Sequence, residues 1–392
     1  MPRRPNLLTA TRLGVPCMLS PPPIADPVDL IVSVPAMLGF TPNRSLVLVF
    51  VKRETGCDRA LSVPLAVRTA SPLEQERLSD TEIAHLAARM CRQADASAVL
   101  AVLVDDRQPR PAIPVTTNDR YGSVLEALDT HLDSMGLKLG GAWSARFIAT
   151  DAAWWNPFDP QQHGHLPNPA RSPIAVRHKA IGRPIHRTRD ELAAFVDIDV
   201  ALRDRVTALL PNAAADAQQR LARTVRNGDP DAYTRQAVAQ VMSTIKDFSA
   251  RAVPSPQTLA YVAVALRDKD VRDVMFGVAG GVYADRAERL WTVLTRALPD
   301  PDRAEAATLL AFHALLRGEG VRAGIAVDAA LAADPEHRMA YLLGIAAATA
   351  TPPQRMRRLC RAGIEAAAEL RIDIGAAEPD SHTKENLDDH NR

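Results

Sequence analysis

The spacing of apolar residues changes once along the chain, and that change constrains the fold more than any other feature. Before about residue 187 the purest apolar runs are short and rich in β-branched side chains: Ser45–Lys52 (SLVLVFVK) and Ala98–Val104 (AVLAVLV). Runs of this length, apolar on both faces, read as buried strands. From Thr188 onward apolar residues recur three and four apart, as one face of a helix requires. The pattern predicts an α/β amino-terminal domain, its mixed sheet containing an antiparallel hairpin, followed by an all-α carboxyl-terminal helical domain. With 392 residues, 47% hydrophobic and 24% charged, such a chain can bury a large core without disulfides or metal.

Local signals divide the chain further. Residues 1–25 carry repeated prolines and no periodicity, an irregular lead-in. The α/β domain is expected over 26–187, with a proline-rich basic linker at 156–187. The helical domain is expected over 188–374, and a disordered acidic tail over 375–392. Asp26-Pro27 is an N-cap followed by a first-turn proline. It opens a short helix, disturbed by Pro35 and closed at Gly39. Ser45–Lys52 and Ala60–Val67 form the hairpin, and Pro64 pushes the second strand toward an edge or a bulge. A helix should run from Ser79 or Asp80 to about Ala94, and another from about Asp119 to Ser134, stopped by Gly136. Leu137–Ala149 is strand-like, either one strand or a hairpin bent near Trp143-Ser144. Ile174–Lys179 reads as a short strand inside the linker. In the helical half, Val238, Val241, Met242, Ile245 and Phe248 line one helix, and Leu259, Val262, Ala263 and Leu266 the next. Further helices fall near 284–298, 303–317, 321–333, 336–348 and 353–369. Ala330–Pro335 resembles the end of a tetratricopeptide unit, but one unit makes no solenoid, so a plain pair of antiparallel helices is expected.

The same residues limit the chemistry. A net charge of +1 gives no long-range field toward nucleic acid or membrane, so either would need a local patch. Cys17, Cys57, Cys91 and Cys360 have neither disulfide nor zinc spacing. No apolar signal segment follows Met1, and no apolar run is long enough to span a bilayer. A cytoplasmic protein without membrane contact is expected. His163-Gly164-His165 lacks a third ligand at metal spacing, so no metal is expected. Gly277–Gly281 matches no phosphate-loop pattern and reads as a flexible connection between helices. There is no Gly-x-Ser-x-Gly elbow. No cofactor is expected, and no catalytic set is legible.

Two regions stand out as candidate binding sites. If the strands at 60–67 and 98–104 are joined through a helix they run parallel, and the hairpin brings the start of Ser45–Lys52 to the edge holding their carboxyl ends. Ligands bind at that edge in open α/β sheets. Asn43, Arg44, Ser45, Arg68, Asp105, Asp106 and Arg107 would meet there. Thr150, Asp151, Trp154 and Trp155 would join them if Leu137–Ala149 is a single parallel strand. The plainer reading makes these residues a helix stop, a turn and internal ion pairs. The second region lacks acids from Pro160 to Arg189 and carries Arg171, Arg177, Lys179, Arg183, Arg187 and Arg189. It is either a phosphate or nucleic-acid strip or a basic linker lying on the acidic surfaces of the domains it joins. The near-zero net charge and the lack of interleaved aromatics favour the linker.

The stretch Val34-Pro35-Ala36-Met37-Leu38-Gly39-Phe40-Thr41-Pro42-Asn43-Arg44-Ser45-Leu46-Val47 resembles the opening of an actinobacterial family known only as domain of unknown function 4192. Val271-Arg272-Asp273, Ala307–Phe312, Arg317–Gly320 and Ala330–Pro335 are similar to later parts of that family. The resemblance implies a fold outline over about residues 26–350 and no activity. The stretch after the Trp-Ser strand, often cysteine-bearing in the family, has none over residues 148–155, so no metal or redox role carries over. Two functions remain: a non-catalytic module whose helical half holds a protein partner or a second copy, or a small-molecule or nucleotide-binding protein or enzyme using the sheet edge.

Overall fold

The computed structural model describes residues 26–53, 61–62, 67–70, 85, 87, 98–108, 120–159, 161–180, 182–229, 231–248, 253–349, 351 and 353–375. The lead-in over 1–25 and the tail from 376 lie outside them. So does most of the helix expected near 80–94, of which His85 and Ala87 are described and helical.

Helix α1 (Pro27–Leu38) starts where the Asp26 carboxylate accepts the Val28 N–H at 2.8 Å. It runs through Pro35 and ends at Gly39, whose φ of +81° is the left-handed stop that glycine adopts most easily. The sheet follows: β1 (Ser45–Arg53), β2 (Leu61–Ser62), β3 (Val67–Ala70), β4 (Ala98–Val104), β5 (Lys138–Ala145), β6 (Ala153–Trp155) and β7 (His163–His165). Along the sheet the order is β2-β1-β4-β5-β6-β7, with β3 also paired to β1. β4 and β5 are parallel and the other pairings are antiparallel. The hairpin is therefore present, but its second strand is split. Lys52 faces Ser62 while Val49 faces Val67, three steps along β1 against five on the facing side, and Pro64 itself lies outside the described residues.

Three expectations about this half are refined or corrected. Of the two readings left for Leu137–Ala149, the single strand holds, and it spans only Lys138–Ala145. Its irregularity is a bulge, where Val99 faces Leu139 but Leu100 faces Gly141, leaving Gly140 over. Ile174–Lys179 is not a strand but lies in helix α3 (Pro173–Ala180), because Ser172 Oγ accepts the Ala175 N–H at 3.2 Å and Pro173 takes the first position. A short strand occurs instead at β7, within the segment expected to be loop.

The apolar runs are uniform because the sheet is covered on both faces. Leu46, Leu48 and Phe50 of β1 pack with Val99, Ala101 and Leu103 of β4 against Leu125, Leu128 and Leu132 of α2 (Arg120–Asp133). The alternate residues, Val47, Val49, Val102, Val104, Trp143 and Ala145, pack against α1 in a cluster that continues into the carboxyl-terminal helices. No break in this core marks the boundary expected near Arg187.

The helical half comprises α4 (Arg189–Ala193), α5 (Val200–Arg226), α6 (Asp231–Asp247), α7 (Pro256–Leu266), α8 (Lys269–Val278), α9 (Ala284–Ala297), α10 (Asp302–Leu316), α11 (Gly320–Ala333), α12 (Arg338–Ala348) and α13 (Pro353–Glu369). Helix α10 is buried almost all round, with Phe312 edge-to-face on Phe276 at 4.9 Å between centroids, so it is the centre about which the others pack. Helices α9 to α12 pack in succession, while α13 turns back onto α8. Residues 279–283 do connect α8 to α9, but the crossing gives the glycines at its start a packing role. Gly277 lies inside α8, and a Cβ built on it would sit 2.7 Å from the Gly363 carbonyl carbon. A Cβ on Gly280 would meet the Cys360 sulfur at 2.6 Å. These glycines let two helices approach closely.

Candidate functional site

At the carboxyl edge of β4 and β5 the loops predicted to converge do so in part. The chain leaves α1 at Gly39, and Phe40 forms a parallel bridge to His186, with the Thr41 N–H donating to the His186 carbonyl at 2.9 Å. It enters β1 through Arg44, which has φ +49°, and Ser45 Oγ donates to the Asn43 carbonyl at 2.8 Å. β4 ends at Val104, and the Asp105 N–H donates to the Ala145 carbonyl of β5 at 3.1 Å. Arg44 then reaches Asp106, Nε to Oδ1 at 2.9 Å. Arg146, just beyond β5, donates Nη2–H to the Asp106 carbonyl at 2.6 Å. Asp105 is fully buried and takes Arg107 Nη2 at 2.8 Å and the Arg107 N–H at 2.9 Å. The Arg44 hydrogen bond, with its charge and a bond from Asn43, outweighs desolvation and holds the Asp106 carboxyl below the usual carboxylate range. Asn43, Arg44, Ser45, Asp105, Asp106 and Arg107 are thus one cluster.

Arg68 is placed differently. β3 extends to Ala70, so Arg68 is a strand residue facing Leu48 and not part of a loop at the edge. Asp151 lies in the loop after β5, with φ +59°. Trp154 and Trp155 sit on β6, paired back onto Ala145 and Ser144, and are buried. What the edge offers is three guanidinium groups against two carboxylates, largely satisfied by one another.

The basic strip is half neutralised. Arg183 pairs with Glu319, Arg187 with Glu191 at 3.0 Å, and Arg189 with Asp328 at 3.6 Å. Glu319 also takes Arg317 Nε at 3.1 Å and Arg322 Nε at 3.4 Å, and Glu288 takes Arg317 Nη2 at 2.5 Å. Arg322 stacks over Phe195 at 4.3 Å. Burial, and then the Arg317 charge, pull the Arg183 guanidinium below its ordinary value. This network ties Arg183 to α9 and α11, whereas Arg187 pairs within its own segment. Arg171, in a single 3-10 turn, and Arg177 and Lys179, in the last turn of α3, are exposed. His163 and His165 are exposed on β7, and no group of three or more metal-ligating side chains occurs among the described residues.

Two further surfaces lie on the last helices, and sequence reasoning missed both. On α12 the buried positions are Ala340, Leu343, Ala346 and Ala347, while Tyr341, Leu342 and Ile345 are 61%, 48% and 44% exposed. On α13, Arg355, Arg357, Arg358 and Arg361 are exposed. The signals were readable: a helix apolar on two faces, and four arginines within seven residues. Only packing says which face of α12 is covered.

The chain belongs to the family described as Domain of unknown function (DUF4192), whose model matches residues 27–354. No curated protein and no solved structure matches it. The stretches that suggested the family occupy structural joints. Gly39 and Phe40 pair with the segment entering α4, and a Cβ on Gly39 would touch Leu192 at 3.6 Å. Arg272 binds Glu305, Nη1 to Oε1 at 3.1 Å. Ala307–Phe312 is the middle of α10, and Arg317 and Glu319 form the network around Arg183.

Proposed function

We propose that this protein is a cytosolic, non-catalytic module that holds a protein partner through the outward face of α12. The observation that carries this reading is the exposed row Tyr341, Leu342 and Ile345. Its members are three and four residues apart on a helix whose opposite side is already in the core. Full burial of one such side chain is worth about 1.5–3 kcal/mol, so three kept together in water favour a contact surface. In support, no helix among the described residues is long and apolar enough to cross a membrane. The test compares complexes captured from native lysate by the wild type and by Leu342→Asp and Ile345→Asp. Both variants replace exposed side chains, so they should keep the wild-type melting temperature within a few degrees and lose the bound partner. Undiminished complexes in both would end the proposal.

A second reading, a small-molecule or nucleotide-binding protein using the sheet edge, is favoured by one observation. Arg44 and Asp151 are non-glycine residues with positive φ at the same edge, and such conformations cost about 1–3 kcal/mol and gather at binding sites. Screening anionic metabolites by thermal shift, with Arg44→Ala as control, tests it. The reading requires a hit whose shift disappears in the variant.

A further inference from the structure

We infer that the partner of α12 is an acidic protein segment, whose carboxylates are taken by the arginine face of α13 while its apolar side chains cover Tyr341, Leu342 and Ile345. The inference rests on the α12 reading and names the chemistry of what binds there. Helix α13 carries Arg355, Arg357, Arg358 and Arg361 and no Asp or Glu before Glu365. At ~100° per residue, Arg357, Arg358 and Arg361 share one arc with Arg355 at its margin. That arc points away from Cys360, Gly363 and Ala367, which are buried.

Several other arginines hold carboxylates: Arg183 and Arg317 through Glu319, Arg267 through Asp302 and Arg272 through Glu305. The four on α13 form no ion pair among the described residues. In a molecule of net charge +1 they make a local cationic row. Helices α12 and α13 both pack on α10, and four residues separate them; the inference requires one ligand to reach both rows.

Guanidinium groups bind carboxylate and phosphate alike in paired hydrogen bonds, so the neighbouring surface decides the class. It is aliphatic with one tyrosine, and no aromatic residue lies between the arginines for bases to stack on. An amphipathic acidic segment matches both rows. A second copy matches less well, since it would set arginines against arginines.

The test is fluorescence anisotropy on the full chain with three labelled probes. The first is a helical peptide with leucine on one face and glutamate on the other, the second is the same peptide with glutamine for glutamate, and the third is an oligothymidylate of equal charge. The glutamate peptide should bind at least about tenfold more tightly than the glutamine peptide and lose affinity as salt rises. The pair Arg358→Glu/Arg361→Glu should lower its affinity about tenfold or more, and so should Leu342→Asp. Equal binding of the two peptides, or indifference to the arginine reversal, overturns the acidic partner and leaves the α12 reading standing. Failure of every peptide to bind also overturns it. Oligothymidylate bound as tightly as the peptide, and insensitive to Leu342→Asp, reassigns the arginines to nucleic acid.

Discussion

His313 is a buried histidine in the last turn of α10, and its imidazole accepts the Trp291 indole N–H at 3.2 Å. Burial, helped by the nearby Arg317 charge, lowers its pKa from 6.5 to about 3. The folded chain therefore holds it neutral across a range where the unfolded chain binds a proton. The unfolded state takes up more protons between about pH 6.5 and 3, so stability falls as pH falls through that window. The slope approaches ~1.4 kcal/mol per pH unit from this group alone. Urea denaturation at pH 6 and pH 5 should show a smaller loss in His313→Asn, which keeps an acceptor for Trp291, than in the wild type. Gly363 sets a different limit. A Cβ there would lie 2.6 Å from the Asp273 carbonyl oxygen and 2.9 Å from the Gly277 Cα. Gly363→Ala should therefore cost about 1–3 kcal/mol by overpacking, read as a lowered denaturation midpoint. Alanine would otherwise favour the helix, so an unchanged or raised midpoint would contradict the close crossing.

Among elements, α1 was the most readable, because its signals are local. Asp26 caps, Pro27 occupies the first turn and Gly39 supplies the left-handed stop. Asp26→Ala should cost about 1 kcal/mol through loss of the cap, measurable by thermal denaturation. Elements whose identity depends on neighbours were harder to read. Residues 173–180 look like a strand, because β-branched Ile174 and Val176 follow a proline-rich stretch. A capping serine and the place where Ile174 and Ala175 dock against Ala36 of α1 decide for a helix. The bend considered near Trp143-Ser144 is absent, and the irregularity lies at the Gly140-Gly141 pair. It forms a bulge because β5 pairs on both sides, and the Trp143 ring lies back over Gly141, 2.4 Å from where a Cβ would stand. For α12, Leu342 and Leu343 are equivalent in sequence, and only the position of α10 and α11 leaves Leu342 in water.

At the scale of the molecule, the sheet face bearing Val47, Val102 and Trp143 and the helices around α10 share one buried cluster. The Glu319 network bolts the linker across the join. A continuous core should melt as a unit, so calorimetry is expected to give one transition whose calorimetric and van't Hoff enthalpies agree. Two separated transitions would restore the boundary near Arg187. Glu319→Gln, which weakens three arginine contacts at once, should lower that single transition by about 1–3 kcal/mol. By itself the sequence determined the strand runs, the helix caps and the helical spacing, because these depend on residues within a few positions of one another. It brought Arg44 and Asp106 together through the topology of a hairpin and a crossover. Tertiary structure alone decided that Arg68 stays within a strand, that Arg183 and Arg189 meet distant acids while the arginines of α13 meet none among the described residues, and that α12 keeps an apolar face in water. The physical reason is that periodicity specifies that a helix has faces. Which face is covered, and which charge finds a partner, depends on elements that lie far away in sequence and meet only when the core closes.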